Sequence, residues 1–297
     1  DQAETPLHEL ELELKFSFRE LRFKTKVVDV CNRERMEQIF AKTKPHFLFH
    51  AAAYKHVPMM ENNVPEAIQN NVLGTKIIAD LAVKHGTGKF VMISTDKAVN
   101  PTNVMGCSKR ICEIYVQSLN RYVNAGTAGT QFITTRFGNV LGSNGSVIPL
   151  FKEQIKRGGP VTVTHPEIIR YFMTIPEACQ LVLEAGAMGE GGEIYIFDMG
   201  NPVRILELAK RMITLSGAKH VKIEYTGLRQ GEKLYEELLN DKEYVQPTSH
   251  DKIMIANVRE YDFDMVARQV DELIALSRTG DDLRIVSKMK AIVPEFQ

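Results

Sequence analysis

Two short segments of the chain carry side chains that could move protons. The run from Ser94 to Lys97 places two hydroxyls, a carboxyl and an amine side by side. An Asp acts as an acid near pH 7 only if its pKa lies well above about 3.9, and a Lys acts as a base only if its pKa lies well below about 10.4. Burial moves both pKa values in these directions, so Asp96 and Lys97 could exchange protons if buried; the alternative is an ordinary Asp-Lys pair in solvent at the end of a strand.

Direct attraction between Asp96 and Lys97 would favour both charged forms and oppose these pKa shifts. Adjacent residues of an extended strand point to opposite faces, so we expect the two side chains to be kept apart. A second amine, Lys109, lies four residues after Met105, and on a helix these two side chains share a face. Methionine has no proton to exchange, so proton transfer near Lys109 must use another group.

The elements that would position these residues alternate between strand and helix. Short apolar or β-branched runs alternate with stretches of helical spacing, and the runs at residues 47–49 and 91–93 are continuously apolar, as buried parallel strands are. The pattern predicts an α/β fold with a doubly wound, Rossmann-like parallel sheet. The predicted strands are 24–30, 46–50, 89–94, 131–136 and 194–197, and the predicted helices are 33–43, 66–85, 108–124, 175–187, 205–216 and 262–277.

The alternation changes after about residue 142, where segments rich in Gly, Pro and Thr intervene. A later helix and strand could rejoin the sheet. We therefore predict a Rossmann-like domain from residues 1–145 plus about 171–199. A smaller carboxyl-terminal domain would comprise about 146–170 plus 200–297.

The phosphate-binding fingerprint of such sheets is missing from the sequence. Gly-x-Gly-x-x-Gly should stand between the first strand and the first helix, with an acidic residue about 20 positions on. No such run precedes Lys24, and Gly138, Gly142 and Gly145 have the wrong spacing. We expect the chain to start near the end of the second strand, with the first β-α unit outside it. Asp1 would then accept hydrogen bonds from the adenosine ribose hydroxyls.

Charge and composition disfavour several classes of protein. Lys plus Arg and Asp plus Glu both number 37, so the net charge is zero, whereas binding of a nucleic-acid backbone requires excess positive charge. No apolar run approaches the roughly 20 residues that span a bilayer, and no signal-peptide pattern is present. We expect a cytoplasmic location and no membrane contact by this chain. The four cysteines form no Cys-x-x-Cys pair, which favours reduced thiols over disulfides or a metal site.

Six short motifs occur along the chain. They are His50-Ala-Ala-Ala-Tyr-Lys-His56-Val-Pro, Asn71-Val-Leu-Gly-Thr75, Ser94-Thr-Asp-Lys-Ala98-Val-Asn-Pro101, Met105-Gly-x-Ser-Lys109, Arg136-Phe-Gly-Asn-Val140-Leu-Gly and Arg229-Gln-Gly-Glu-Lys233. Their order over residues 4–241 resembles the polysaccharide-biosynthesis branch of the extended short-chain dehydrogenase/reductases, which includes the UDP-N-acetylglucosamine 4,6-dehydratases. The usual centre of the wider class is Thr-Asp-Glu followed by Tyr-x-x-x-Lys. Here Lys97 stands at the Glu position and Met105 at the Tyr position.

The resemblance implies a reaction and a role for each residue. Sugar C4 loses a hydride to become a ketone, a base removes the C5 proton, water leaves from C6, and hydride returns to C6. By family position, Asp96 is the acid for the C6 hydroxyl and Lys97 the base for C5, while Lys109 holds the nicotinamide ribose. Met105 cannot act as a base, so we expect Thr95 to relay the C4 hydroxyl proton, with a water or the substrate itself as alternatives. The other interpretation is that Met105 only packs and the enzyme has lost activity.

The resemblance also implies which residues contact the two ligands. The expected cofactor residues are Asp1, Asp29, Val30, Ala51, Ala52, Ala53, Asn71 and Lys109, and the expected substrate residues are Lys55, His56, Asn139, Ser146, Val147, Arg170, Arg229 and Glu232. The Asp1 carboxylate would repel a 2′-phosphate, which favours NAD over NADP. Asn71 is expected to support the site. Arg170 and Arg229 are the diphosphate candidates, because a guanidinium binds two oxygens at once, and Glu232 is expected at the uridine ribose.

We therefore expect a nucleotide-sugar 4,6-dehydratase that uses NAD, acts on UDP-N-acetylglucosamine in surface polysaccharide or glycan synthesis, and needs no metal. The first alternative is a C4 or C5 epimerase, which Asp96 disfavours because epimerisation needs no acid at C6. The second is a non-catalytic dinucleotide-binding module, supported by Met105 and the missing glycine loop. Family members imply a homo-oligomer formed through helices near 66–85 and 108–124. Larger members have amino-terminal helices that would anchor the parent in the inner membrane.

Overall fold

The structure is a computed structural model and describes residues 1–125, 129–218, 220–237, 244–257 and 259–297. The α-helices are α1 (Glu4–Ser17), α2 (Arg33–Thr43), α3 (Val57–Glu61), α4 (Val64–Ala67), α5 (Gly74–Lys84), α6 (Val104–Val123), α7 (Val147–Lys156), α8 (Ile175–Met188), α9 (Ile205–Leu215), α10 (Phe263–Ser277) and α11 (Asp282–Ile292). A π-helix spans Ile68–Leu73 and a 3-10 helix spans Asp96–Ala98. None of the helices in the described ranges has the length and apolarity that a bilayer crossing requires.

The strands are β1 (Phe47–His50), β2 (Lys89–Ile93), β3 (Gln131–Arg136), β4 (Asn139–Val140), β5 (Val161–Val163), β6 (Ile169–Arg170), β7 (Phe172–Met173), β8 (Ile194–Phe197), β9 (Val203–Arg204), β10 (Ile223–Tyr225), β11 (Tyr244–Pro247) and β12 (Ile253–Asn257). The central sheet has the order β1-β2-β3-β8-β12-β11. Neighbouring strands from β1 to β8 are parallel, and β12 runs antiparallel to β8 and β11. The predicted Rossmann-like α/β fold is confirmed, with an antiparallel pair added at one edge.

Most predicted elements are confirmed to within a few residues at their ends, where helices fray. Strands β3 and β8 have the predicted bounds. The predicted helix 66–85 contains the π-helix Ile68–Leu73, and α6 begins four residues earlier than predicted. The predicted strand 24–30 is wrong: this segment is irregular. It pairs with no strand among the described residues, and its backbone bonds to the first residue instead: the Val28 N–H donates to the Asp1 carbonyl at 3.0 Å, and the amino terminus donates to the Lys26 carbonyl at 3.3 Å.

The helices form two separate cores. The larger core packs α4, α5, α6, α10 and α11 on one face of the sheet, and α8 covers the opposite face. A smaller core joins α7 and α9 to β5 and β10. The packing of residues 263–296 therefore differs from the predicted domain boundary, because their apolar side chains belong to the larger core. Helix α6 and the π-helix Ile68–Leu73, both in the segments expected at a dimer interface, pack against α10 of the same chain.

Candidate active site

Thr95, Asp96 and Lys97 lie in a tight turn at the carboxyl end of β2. The Asp96 N–H donates to the carbonyl of Phe137, just after β3, at 3.2 Å. Thr95 precedes the 3-10 helix, and its hydroxyl accepts a hydrogen bond from the Lys97 N–H at 3.4 Å. Ligands of doubly wound sheets bind at the carboxyl ends of the strands. The turn therefore occupies the edge of the sheet where a ligand would bind.

Asp96 and Lys97 form a direct ion pair. Lys97 Nζ lies 2.9 Å from Asp96 Oδ1, and the Thr95 hydroxyl donates to the same oxygen at 2.8 Å. The expectation that the two side chains point to opposite faces is wrong, because a 3-10 helix carries them in place of an extended strand. Burial alone would lower the pKa of Lys97, but the carboxylates of Asp96 and Glu236 raise it above its usual value. The pKa shift is opposite to the predicted one, and Lys97 is held as an ammonium.

The second oxygen of Asp96, Oδ2, is buried and has no hydrogen-bond partner among the described residues. Gly138 lies so close that a Cβ atom on it would come 3.0 Å from this oxygen. A buried acceptor without a partner costs roughly 1–3 kcal/mol and marks a position that needs an explanation. Thr95 and Lys97 line the adjoining cavity, whereas Asp96 lies behind them. A ligand in the cavity would meet Asp96 through these two neighbours.

Met105 and Lys109 face the same cavity from the first two turns of α6. Its volume is about 510 Å³. The shared face confirms the expectation from their spacing of four residues. Lys109 is buried, and its ammonium makes no hydrogen bond or ion pair with any described residue. Burial lowers the pKa of this group. An unpaired cation therefore borders the cavity and can bind ligand oxygens.

The loop after β1 brings small side chains to the cavity. Ala51 and Ala53 line it, whereas Ala52 does not. Asn71 holds this loop, because its carboxamide accepts from the Tyr54 N–H at 2.7 Å and donates to the Tyr54 carbonyl at 3.1 Å. It also donates to a hydroxyl of α6 at 2.9 Å. Asn71 lies outside the cavity lining and is placed to support the loop instead of contacting a ligand.

His50, at the end of β1, is a buried and neutral histidine. Burial and the positive charge of Lys109 lower its pKa to about 3. Its Nε2 atom shares a hydrogen bond with the Thr75 hydroxyl at 2.9 Å. His50 therefore adds no positive charge beside Lys109.

The residues expected at adenosine lie away from the cavity. The Asp1 carboxylate accepts from the Ala3 N–H at 2.8 Å, and the Asp29 carboxylate accepts from the Cys31 N–H at 2.8 Å. Neither these carboxylates nor Val30 line the cavity. Their contact with adenosine stays a prediction.

The residues expected at the substrate all line the cavity that Lys97 and Lys109 border. They come from the loop after β1, the amino end of α7, strands β4 and β6, and the segment 229–237. They are Lys55, His56, Asn139, Ser146, Val147, Arg170, Arg229 and Glu232. The structure thus brings the expected substrate residues and three of the expected catalytic side chains around one space.

Arg170 uses most of its donors within the protein. Its guanidinium donates to the carbonyl of Lys233 at 2.8 Å and to that of Leu234 at 3.2 Å. Glu232 Oε1 lies 3.4 Å from Arg170 Nη2. These partners belong to residues 229–237, which we call the strap. Arg170 fastens the strap to β6. Its guanidinium is therefore not free to bind the diphosphate in the way that the sequence led us to expect.

Glu232 and Arg229 differ in how free their side chains are. The Glu232 carboxylate accepts from the Arg229 N–H at 3.1 Å and from the Thr164 hydroxyl at 3.2 Å, so it stabilises the strap. Its expected contact with a ribose would have to compete with these bonds. The Arg229 side chain is exposed and makes no hydrogen bond or ion pair with a described residue. Arg229 is therefore the phosphate candidate that has its donors available.

A buried ion network beneath the turn was not predicted. Glu113 on α6 accepts from Arg136 Nε at 2.8 Å and Nη2 at 2.7 Å, and from the Ser94 hydroxyl at 2.7 Å. Burial would raise the pKa of Glu113, but Arg136 and Arg110 lower it to about 2. The only signal in the sequence is a Glu one helical turn after Lys109, on the same face. The network joins the ends of β2 and β3 below the catalytic candidates.

Fold and site together define an extended short-chain dehydrogenase/reductase. The chain belongs to the family described as polysaccharide biosynthesis protein, whose sequence model matches residues 1–258. It is 52% identical over 275 residues to the capsular polysaccharide biosynthesis protein CapD of Staphylococcus aureus, covering 92% of this chain and 45% of that protein. It is 41% identical over 199 residues to a UDP-glucose 4-epimerase of Rickettsia canadensis, covering 66% of this chain and 57% of that protein. The chain spans about half the length of these curated relatives.

Solved structures of similar fold include Pen from Bacillus thuringiensis. It matches with a TM-score of 0.76 and 33% identity, covering 86% of this chain and 78% of that one. DesIV, a dTDP-glucose 4,6-dehydratase from Streptomyces venezuelae with NAD and TYD bound, matches with a TM-score of 0.68 and 21% identity, covering 77% of this chain and 74% of that one. At that identity, the second match establishes the fold alone.

Proposed function

We propose that this chain carries the catalytic site of a nucleotide-sugar 4,6-dehydratase that acts on UDP-N-acetylglucosamine. The observation that carries the proposal is the convergence of Thr95, Lys97 and Lys109 with the expected substrate residues around one cavity of about 510 Å³. Small-molecule sites occupy roughly 300–1,000 Å³. Similarity to a capsular polysaccharide biosynthesis protein supports a role in surface glycan synthesis.

The α6 side of the cavity fits a nicotinamide cofactor. When bound, the cofactor would take a hydride from sugar C4 and later return it to C6. Lys109 would hold the cofactor ribose, because its buried ammonium has no partner among the described residues. Ala51 and Ala53 leave room beside it. NAD is favoured over NADP because the exposed Asp1 carboxylate would repel a 2′-phosphate.

The acid and the base can be produced together by one proton transfer. Lys97 must be neutral to take the C5 proton, and Asp96 must be protonated to assist departure of the C6 hydroxyl. A proton that moves from Lys97 Nζ to Asp96 Oδ1, 2.9 Å away, creates both forms at once. Burial acts in favour of the neutral pair, but Asp96 and Glu236 raise the pKa of Lys97, so the ion pair is the resting form and the neutral pair forms only during the reaction.

The proton of the C4 hydroxyl would leave to water through Thr95. The C5 proton then reaches Lys97, and the Asp96 proton leaves with the C6 hydroxyl as water by way of the Thr95 hydroxyl, 2.8 Å from Asp96 Oδ1. When C6 has taken up hydride, Lys97 returns a proton to C5, and one proton taken up from water restores the ion pair.

The test is the product formed from UDP-N-acetylglucosamine and NAD by the purified protein, analysed by mass spectrometry and NMR. We expect a mass lower by one water and a ketone at C4. Asp96→Asn and Lys97→Ala should abolish elimination, whereas Lys152→Ala, at an exposed position on α7, should retain it. Turnover like that of the wild type in both site variants would remove the assignment.

A nucleotide-sugar epimerase is the second candidate, favoured by the 41% identity to a UDP-glucose 4-epimerase. It would give a product of unchanged mass. A protein that binds NAD but forms neither product would instead be a non-catalytic dinucleotide-binding module. We also propose that the site lies in the cytoplasm and that a longer parent protein is anchored in the inner membrane. We further propose a homo-oligomer, whose mass light scattering of the purified protein would measure.

A further inference from the structure

Glu236 is a buried carboxylate to which the proposed mechanism assigns no role. Its side chain is only 5% exposed. Its Oε1 atom lies 3.4 Å from Lys97 Nζ and 3.6 Å from Arg170 Nε. Glu236 therefore joins the proposed base, in the turn after β2, to an arginine of β6.

The strap holds the Glu236 carboxylate in place. The Gly231 carbonyl accepts from the Thr102 hydroxyl at 2.9 Å and from Asn103 Nδ2 at 3.1 Å. Arg170 binds the strap from the other side. Because the strap is fastened to the turn following Lys97 and to β6, the Glu236 carboxylate has little freedom to leave Lys97. A carboxylate held in this way can fix the direction of an amine.

We propose that Glu236 is a positioning residue for Lys97. Its carboxylate holds the Lys97 amine against Asp96, so that the proton which Lys97 and Asp96 share is retained. This inference rests on the proposed function, in which Lys97 takes the C5 proton. It names a residue outside all the motifs from which that function was inferred.

The charges around Lys97 determine the sign of the effect. The groups that face Lys97 are Asp96 from its own turn, Glu236 from the strap and Arg170 from β6. Burial and Arg170 lower the pKa of Lys97, and the two carboxylates raise it. Without the charge of Glu236, Lys97 would lose its proton at lower pH, and the pair would then lack the proton that the C6 hydroxyl needs.

The test compares Glu236→Gln with Glu236→Asp and with Glu237→Gln. Glu237 is the next residue of the strap and pairs with Lys233 and Asn100, away from Lys97. In Glu236→Gln, we expect the alkaline decline of kcat/KM to shift to lower pH. We also expect kcat to fall about tenfold or more, because a catalytic group that is out of position reacts more slowly. Glu236→Asp should restore the position of the decline, and Glu237→Gln should not move it.

A second measurement needs no turnover. The Lys97 resonance in protein labelled with 13C and 15N lysine, assigned through Lys97→Arg, should titrate at lower pH in Glu236→Gln than in the wild type. Unmoved titration would overturn the inference, and so would an equal shift in Glu237→Gln. A wild type that forms no keto product would instead contradict the proposed function, while the titration would still decide the placement of Lys97.

Discussion

Gly106 lies directly against the backbone of Lys97. A Cβ atom on Gly106 would come 2.1 Å from the Lys97 carbonyl oxygen and 2.9 Å from its carbonyl carbon. Non-bonded heavy atoms normally stay about 3.5–4.0 Å apart. The absence of a side chain at this position thus lets the first turn of α6 approach the acid–base turn. The distance between Lys97 and Lys109 depends on this contact.

We expect Gly106→Ala to lower the free energy of unfolding by about 1–3 kcal/mol, because the clash outweighs the better helix propensity of alanine. Urea unfolding measures this. Gly186→Ala in α8 is the matched control, since its Cβ would meet a methyl of Val91 at 3.1 Å and no backbone atom. The control should change stability by less than 1 kcal/mol. A Gly106→Ala protein as stable as the control would contradict the contact.

Glu113 should make the protein sensitive to acid. Its pKa is lowered from 4.5 to about 2 in the folded protein. A depressed carboxyl pKa stabilises the folded state above pH 4.5, and this stability is lost as the pH falls towards 2. The loss should be roughly 3 kcal/mol. Urea unfolding at a series of pH values checks the slope.

In Glu113→Gln, the unfolding free energy should be lower by about 3–5 kcal/mol at pH 7, because buried arginines lose their partner. The part of the acid slope due to Glu113 should disappear. Glu207→Gln, which breaks an exposed pair with Lys210, should change stability by less than 1 kcal/mol and keep the slope. An unchanged acid slope in Glu113→Gln would show that another group causes it.

Removal of the Thr95 hydroxyl should reduce turnover, whereas a change of the Met105 side chain should not. Thr95→Val removes the hydroxyl that donates to Asp96 Oδ1, and should lower kcat by about 10²–10⁴ if this hydroxyl relays a proton. Thr95→Ser keeps the hydroxyl and should retain most turnover. Met105→Leu conserves volume and should retain turnover as well. Equal losses in Met105→Leu and Thr95→Val would give the methionine a role beyond packing.

Substitution of Arg229 should weaken substrate binding, whereas substitution of Arg170 should reduce the stability of the fold. Arg229→Ala should raise the KM for the nucleotide sugar about tenfold to a hundredfold, the loss of one charge-assisted contact, without changing the unfolding free energy. Arg170→Ala should lower the unfolding free energy, because carbonyls of the strap lose their donor. Steady-state kinetics and urea unfolding of both variants check this. An unchanged KM in Arg229→Ala would exclude the diphosphate contact.

The sequence predicts well those structural features that depend on a single segment of the chain. Strand β8 is predictable from its short apolar run and strand β3 from its β-branched residues, and the shared face of Met105 and Lys109 follows from helical spacing. The convergence of the expected substrate residues was predictable only through the family resemblance, because their motifs are far apart in the chain.

What depends on neighbours in space was not predictable. Whether Asp96 and Lys97 touch depends on a 3-10 turn in place of an extended strand. The donors of Arg170 are used by carbonyls more than 60 residues away. Glu236 carries no local pattern that distinguishes it from Glu237, although only Glu236 reaches Lys97. Periodicity contains no information about such tertiary partners.

The π-helix Ile68–Leu73 has a consequence for any shortening of this region. A residue advances a helix by about 100°, so deleting one here would restore regular winding and rotate α5 against α4 by that angle. Asn71 lies within the π-helix and Thr75 lies after it. After the deletion, the hydrogen bond from Asn71 to Tyr54 and the one from Thr75 to His50 could no longer form at the same time. The extra residue is therefore an angular spacer, and a single-codon deletion would release the loop that carries Ala51 and Ala53.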